Sequence, residues 1–222
     1  MNDFPPVPED GMVLVDKPAG ITSFGVVARV RRRLSEQLGK KAKVGHTGTL
    51  DPFATGLMII VTGKECRNAM NYSKLDKVYE ATIRLGQTST TGDPEGEITD
   101  VAGPVPSKEA IETVLKQFTG EITQRPPMFS AIKINGRRAY DLARKGEVVE
   151  MPERQVTVYS LELLDYVYPE LRIRTHVSSG TYIRTLAEDI GKALGTAAYC
   201  SELRRTKVAE WSVSDATPIA ID

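Results

Sequence analysis

His46-Thr47-Gly48-Thr49-Leu50-Asp51-Pro52-Phe53-Ala54-Thr55-Gly56 is the stretch on which the reading of this 222-residue chain turns. Eleven residues hold one His, three Thr, two Gly and an Asp-Pro pair, a composition that belongs to a loop. The proline pushes Asp51 out of the helical region. The flanking glycines let backbone approach a ligand closely. An isolated Asp-Pro pair reads as a turn and nothing more; it is the whole string that singles out Asp51.

Upstream, Gly11 to Asp16 reads as a short buried strand, stopped by the turn residues Lys17-Pro18-Ala19-Gly20. Thr22 and Ser23 offer an N-cap for a helix with Phe24, Val27, Val30 and Leu34 on its inner side and Arg29, Arg31, Arg32 and Arg33 on the other. Downstream, Leu57–Thr62 and Val78–Leu85 read as strands, and 88–106 as a loop or hairpin. Ser107 caps a helix reaching Phe118, with Ile111, Val114 and Leu115 on one face. Pro126-Pro127 excludes helix over 125–130, and 139–145 reads as a short basic helix. Val156–Tyr166 and Leu171–Val177 read as antiparallel strands, followed by a helix with Ile183, Leu186, Ile190 and Leu194 inward. Strands outnumber helices and do not alternate with them. The expected fold class is therefore α+β, one domain on a mixed, mostly antiparallel sheet with flanking helices.

Composition excludes several classes. Hydrophobic residues make up 41% and charged residues 26%, ordinary for a soluble globular protein. The apolar run Leu57 to Val61 is too short to span a bilayer. The acidic, proline-rich start lacks the features of a signal peptide. Cys66 and Cys200 make neither a disulfide framework nor a zinc site, so both are expected as reduced thiols in a cytoplasmic protein. No phosphate-binding loop, metal cluster or histidine-based triad is present in the pattern. The formal net charge is zero, but it is segregated. Residues 25–64 carry eight Lys/Arg against two acids, 125–145 six against one, and 171–207 seven against three. Such a chain either presents a basic face to phosphates or carries solvated helix faces.

The eleven-residue string resembles, nearly letter for letter, the catalytic motif of bacterial tRNA pseudouridine-55 synthases, the TruB family. Five further stretches match that family in order. Val15 to Ser23 resembles its first motif, and Lys77 to Gly86 contains its active-site tyrosine at Tyr79. Residues 124–133, with Gly136, Tyr140 and 143–146, resemble its mobile RNA-gripping segment, about 124–152. Val177 to Leu186 resembles the motif that brings the arginine partner of the aspartate, and Leu203-Arg204-Arg205 the last active-site element. Relatives carry a further C-terminal RNA-binding domain, which the resemblance implies is absent from a chain ending at Asp222.

The resemblance implies a pseudouridine synthase fold and isomerisation of uridine 55 in the T loop of tRNA. That reaction calls for no cofactor and no metal. Asp51 is implied as the catalytic carboxylate, attacking C1′ or taking the C2′ proton; the sequence leaves both open. Arg184 is implied to pair with it, and Tyr79 to stack on the flipped uracil. Tyr182 and Leu203 are implied to line the uracil pocket, His46 to hold the RNA loop, and Lys133, Arg137 and Arg138 to grip RNA. The expected partner is the T arm of tRNA, met by a monomer that needs no membrane, guide RNA or protein partner. Two other readings compete: a non-catalytic RNA-binding or tRNA-folding protein, and a guide-RNA-dependent relative. The joint presence of Asp51, Tyr79 and Arg184 argues against the first. The ten residues before Gly11, too few for the extension such relatives carry, argue against the second.

Overall fold

A computed structural model describes residues 6–130, 132–134, 136–143 and 150–219. In chain order the strands and helices are β1 (Gly11–Lys17), α1 (Ser23–Leu38), β2 (Val44–His46), β3 (Thr55–Thr62), α2 (Ala69–Ser73), β4 (Lys77–Leu85), β5 (Gln87–Ser89), β6 (Ile98–Asp100), α3 (Lys108–Gln117) and β7 (Gly120–Gln124). They continue as β8 (Lys133–Ile134), β9 (Arg137–Arg138), α4 (Ala139–Ala143), β10 (Arg154–Val167), β11 (Glu170–Val177), α5 (Ile183–Ala193), β12 (Ala198–Val208), β13 (Trp211–Ser212) and β14 (Thr217–Pro218). The class is α+β, as expected. Contacts divide the chain into two compact units, Met1–Glu80 with Leu203–Asp222, and Ala81–Glu202.

The first unit is built around β3. Leu57, Met58, Ile59, Ile60 and Val61 are all fully buried, so β3 reads as a continuous apolar run, as strands covered on both faces do. One edge of β3 pairs antiparallel with β1 along its whole length, Gly11 opposite Thr62 and Lys17 opposite Gly56. The other edge is shared. β2 covers its end antiparallel, Val44 opposite Thr62 to His46 opposite Ile60, and β12 covers its start parallel, Arg204 opposite Thr55 and Arg205 opposite Gly56. Leu57, Ile59, Val61 and Val208 form a core against which Met12, Leu14, Tyr72 and Trp211 pack.

Helix α1 begins where the sequence places it: the Thr22 hydroxyl accepts from the Gly25 amide at 3.0 Å. Its buried face is Ser23, Val26, Val27, Val30 and Leu34. Phe24 departs from the expectation, standing 65% exposed. The reason is Ser23, which takes the inward position one step earlier and uses its hydroxyl to hold Leu50, turning Phe24 outward.

The second unit is antiparallel. β10 pairs with β11 on one side and β7 on the other. α3 turns Ile111, Val114 and Leu115 into its core, and α5 buries Ile183, Leu186, Ala187 and Ile190. The stretch 88–106 includes the expected hairpin, β5 with β6. A second hairpin pairs Lys133 with Arg138. Of the basic helix expected over 139–145, Ala139–Ala143 is helical as α4, and its basic residues Arg144 and Lys145 lie outside the described residues.

Gly56 is pressed closely against the backbone of β12. Its φ is +106°, and a Cβ there would lie 2.2 Å from the Arg205 carbonyl oxygen and 2.8 Å from its amide nitrogen. Gly20 also has positive φ, +83°, but has nothing within 4 Å of a Cβ. Gly20→Ala is therefore expected to cost about 1 kcal/mol of backbone strain. Gly56→Ala adds a backbone collision and is expected to cost about 3 kcal/mol or more. Denaturant unfolding of the two variants checks the difference; equal losses would mean the strands part to admit the methyl.

Candidate active site

The eleven-residue loop is fastened mostly through its own backbone. As the chain leaves β2, the Thr47 amide donates to the Ile59 carbonyl at 3.1 Å. Ser23 brackets Leu50, its hydroxyl donating to the Leu50 carbonyl and accepting from the Leu50 amide, both at 2.8 Å. The Pro52 carbonyl accepts from the Gly20 amide at 2.9 Å and from the Lys17 ammonium at 3.0 Å. The Ala54 amide closes a turn on the Asp51 carbonyl at 3.1 Å. Asp51 thus sits half-buried between two fixed neighbours, Leu50 and Pro52, with its backbone geometry determined on both sides.

The remaining fastening comes from β12. Arg205 is 2% exposed; its Nε donates to the Leu57 carbonyl at 2.7 Å and its Nη2 to the Gly48 carbonyl at 3.2 Å. Leu57 lies on the edge of β3 just past the two residues paired with β12 and before those paired with β2. The guanidinium supplies the donor that neither strand provides there. Arg204, on the opposite face by strand alternation, makes two bonds to the Asp16 carboxylate at 3.1 and 2.7 Å and one to the Thr55 hydroxyl. Lys77 is buried near Arg205, its ammonium held by the Ser73 and Leu75 carbonyls. Burial, followed by the charge of Arg205, lowers its pKa to about 8.

Of the expected site residues, His46, Asp51, Tyr79 and Leu203 belong to the first unit. His46 is half-buried at the end of β2, whereas Tyr79 in β4 and Leu203 in β12 are each 8% exposed. Leu203 and Arg205 share a face of their strand by the period of two.

Tyr182, Arg184, Lys133, Arg137 and Arg138 belong to the second unit. Tyr182 caps α5 and is fixed by Gln124, which donates to its carbonyl at 3.2 Å and accepts from its amide at 3.0 Å. The Arg154 guanidinium lies 5.6 Å from its ring centroid. Arg184 is only 3% exposed. It donates to the Asp93 carboxylate at 3.1 Å, the Thr91 carbonyl at 2.8 Å and the Phe129 carbonyl at 2.7 Å. Asp93, itself 3% exposed, also accepts from the Thr91 hydroxyl at 2.6 Å and the Glu95 amide at 3.0 Å. The sequence reading passed over Asp93 as part of an acidic loop. Its signal was available: Gly92-Asp93-Pro94 repeats the Asp-Pro pairing of Asp51-Pro52. The second unit also holds a cleft of about 540 Å³ between residues 125–128 and α5, where burial raises the pKa of Glu188. Among the described residues, no three His, Cys, Asp or Glu side chains are placed to hold a metal ion. No helix among them is long and apolar enough to cross a membrane.

Comparison with known proteins agrees with this assembly of motifs. Residues 32–183 match the family model for the TruB family pseudouridylate synthase N-terminal domain, and residues 184–219 that for the tRNA pseudouridylate synthase B C-terminal domain. A protein of Corynebacterium efficiens named tRNA pseudouridine synthase B is 45% identical over 99% of this chain and 73% of its own length. One of the same name from Phocaeicola vulgatus is 47% identical over 93% of this chain and 89% of its own. A chain in the crystal structure of a Cbf5-Nop10-Gar1 complex superposes with a TM-score of 0.71 at 33% identity. That match covers 96% of this chain and 53% of the other, so the chain spans about half the length of the solved protein it resembles.

The Arg184–Asp93 pair is nearly dry, and a buried guanidinium that loses a carboxylate partner loses several kcal/mol. Asp93→Ala is expected to destabilise the protein by about 3 kcal/mol, and Asp93→Asn, which keeps an acceptor, by clearly less. Urea unfolding followed by circular dichroism measures both. An Ala variant as stable as wild type would show that Arg184 is anchored without Asp93.

Proposed function

Because the chain belongs to the TruB family of pseudouridylate synthases, we propose that it isomerises uridine 55 in the T loop of tRNA to pseudouridine, with Asp51 as the catalytic carboxylate. The observation that carries this reading is the loop itself. A carboxylate is presented half-buried from a segment whose backbone is tied at Thr47, Gly48, Leu50, Pro52 and Leu57. Holding a reacting group in one geometry is worth much of the barrier in a reaction of this kind.

The isomerisation breaks the bond from uracil N1 to ribose C1′, turns the base and joins C5 to C1′; the proton lost from C5 balances the one gained at N1. Asp51 acts on the sugar, at C1′ as nucleophile or at C2′ as base. Tyr79 stacks on the extruded uracil and Tyr182 and Leu203 line its pocket, with Arg184 the second charged member of the catalytic set. His46 holds the nucleotide loop. Lys133, Arg137 and Arg138 contribute phosphate contacts from the second unit, acting on the T arm without guide RNA or protein partner. The relatives named tRNA pseudouridine synthase B support tRNA as the substrate.

Incubating the protein alone with an unmodified tRNA transcript and mapping pseudouridine tests the reading. Wild type is expected to modify a single T-loop uridine. Asp51→Asn is expected to lose at least about 10³-fold in rate while still binding tRNA, as removal of a nucleophile or general base requires. Appreciable turnover by the Asn variant, or no modification by wild type, overturns the assignment.

A further inference from the structure

We propose that Phe24 and Arg31, on the outer face of α1, form a stacking platform for an unpaired nucleobase of the RNA substrate, outside the uracil pocket and beside the loop that carries Asp51. This rests on the reading of the chain as an enzyme of RNA. Phe24 is 65% exposed, more than Tyr159 at 48% or Tyr168 at 40%. Its backbone is anchored next door: the adjoining Ser23 hydroxyl bonds both the amide and the carbonyl of Leu50, the residue before Asp51. Phe24 thus directly follows the residue that anchors the Asp51 loop.

Arg31 follows two helical turns later on the same face, and a long helical side chain leans back toward the N-terminus. Its guanidinium lies 5.7 Å from the Phe24 ring centroid, and its Nη2 donates to the Val44 carbonyl at 3.1 Å. The group is thus fixed between the helix and β2, the strand that delivers His46. Ala28, one turn after Phe24, is exposed and small.

The chemistry of the surroundings selects the occupant. Ser23 to Leu38 carries four arginines and a single acid, Glu36, and Arg32 is fully on the surface. One aromatic ring in a cationic field is too small an apolar patch to seat a protein helix. It suits a nucleobase, whose face stacks on phenylalanine and guanidinium alike while its phosphates meet the arginines. The target uridine leaves its stack to react, and its loop neighbours lose a stacking partner when it does. The platform offers one of them a replacement.

The test measures binding of a T-arm stem-loop RNA to wild type, Phe24→Tyr and Phe24→Leu. A second series carries an abasic site at each loop position other than the target. Phe24→Leu is expected to weaken binding about tenfold, the scale of one lost base stack, and Phe24→Tyr to stay within about twofold of wild type. One abasic position is expected to weaken wild type by the same factor and to leave the Leu variant unchanged. Wild type that converts the stem-loop while Phe24→Leu binds it equally well, or a Leu variant coupled to no abasic position, overturns the platform alone. Wild type that neither binds nor converts it overturns the assigned substrate instead.

Discussion

A buried arginine with no carboxylate beside it, among the described residues, holds the Asp51 loop to the sheet. Arg205 is taken out of water at a cost of several kcal/mol, and its partners are the carbonyls of Leu57 and Gly48. Each such charge-assisted bond returns roughly 1.5–3 kcal/mol. The arrangement is forced by the edge of β3. β2 covers one end of that edge and β12 the other, and the loop that leaves β2 must bulge away from the strand before rejoining it. The gap leaves a buried carbonyl at Leu57 that requires a donor. A side chain reaching from β12 supplies it, and the same guanidinium reaches on to Gly48 inside the loop. Gly56 completes the fit, since any Cβ there would collide with the Arg205 backbone.

The second unit treats its buried arginine differently. Arg184 has a carboxylate partner, Asp93, together with the Thr91 and Phe129 carbonyls. Those three residues lie in two separate loops, so one side chain ties both to the start of α5. Gln124 does the same for Tyr182 by meeting its amide and carbonyl together. In each unit the residues proposed for chemistry are set by polar contacts to backbone, and the apolar core only positions the strands and helices that carry them. Arg205, Lys17 and Ser23 act on the Asp51 loop in this indirect way.

Much of this was legible in the sequence. The strands β1, β3, β4, β10 and β11 follow from their apolar and β-branched runs, and the helices α1, α3 and α5 from an apolar face at helical spacing, with Thr22 and Ser107 capping the first two. β12 was not found as a strand. Its eleven residues include Glu202, Arg204, Arg205 and Lys207, which look like solvent-facing charge. Two of them instead turn inward or pair, Arg205 onto carbonyls and Arg204 onto Asp16. Charge hides a central strand when the charges are consumed by partners far away in sequence. Phe24 fails for the converse reason: periodicity assigns an apolar residue to the core, whereas Ser23 had already taken that position with a hydrogen bond. The loop around Asp51 was legible through its whole string, and the buried pairing of Asp93 was not, because its acidic loop offered only a two-residue signal. The two units were invisible in the sequence, since the chain passes between them within β4 and within β12 with no change of composition.

Hydrogen exchange at the loop amides tests most directly whether Arg205 holds the Asp51 loop. Thr47, Leu50 and Ala54 each donate to a defined acceptor, the Ile59 carbonyl, the Ser23 hydroxyl and the Asp51 carbonyl. In an Arg205→Met variant these three amides are predicted to lose protection together, by about tenfold or more, the equivalent of one or two charge-assisted bonds. The amides of β10 and β11 are predicted to keep theirs. Unchanged protection at Thr47, Leu50 and Ala54 would contradict the account and leave the loop held without Arg205.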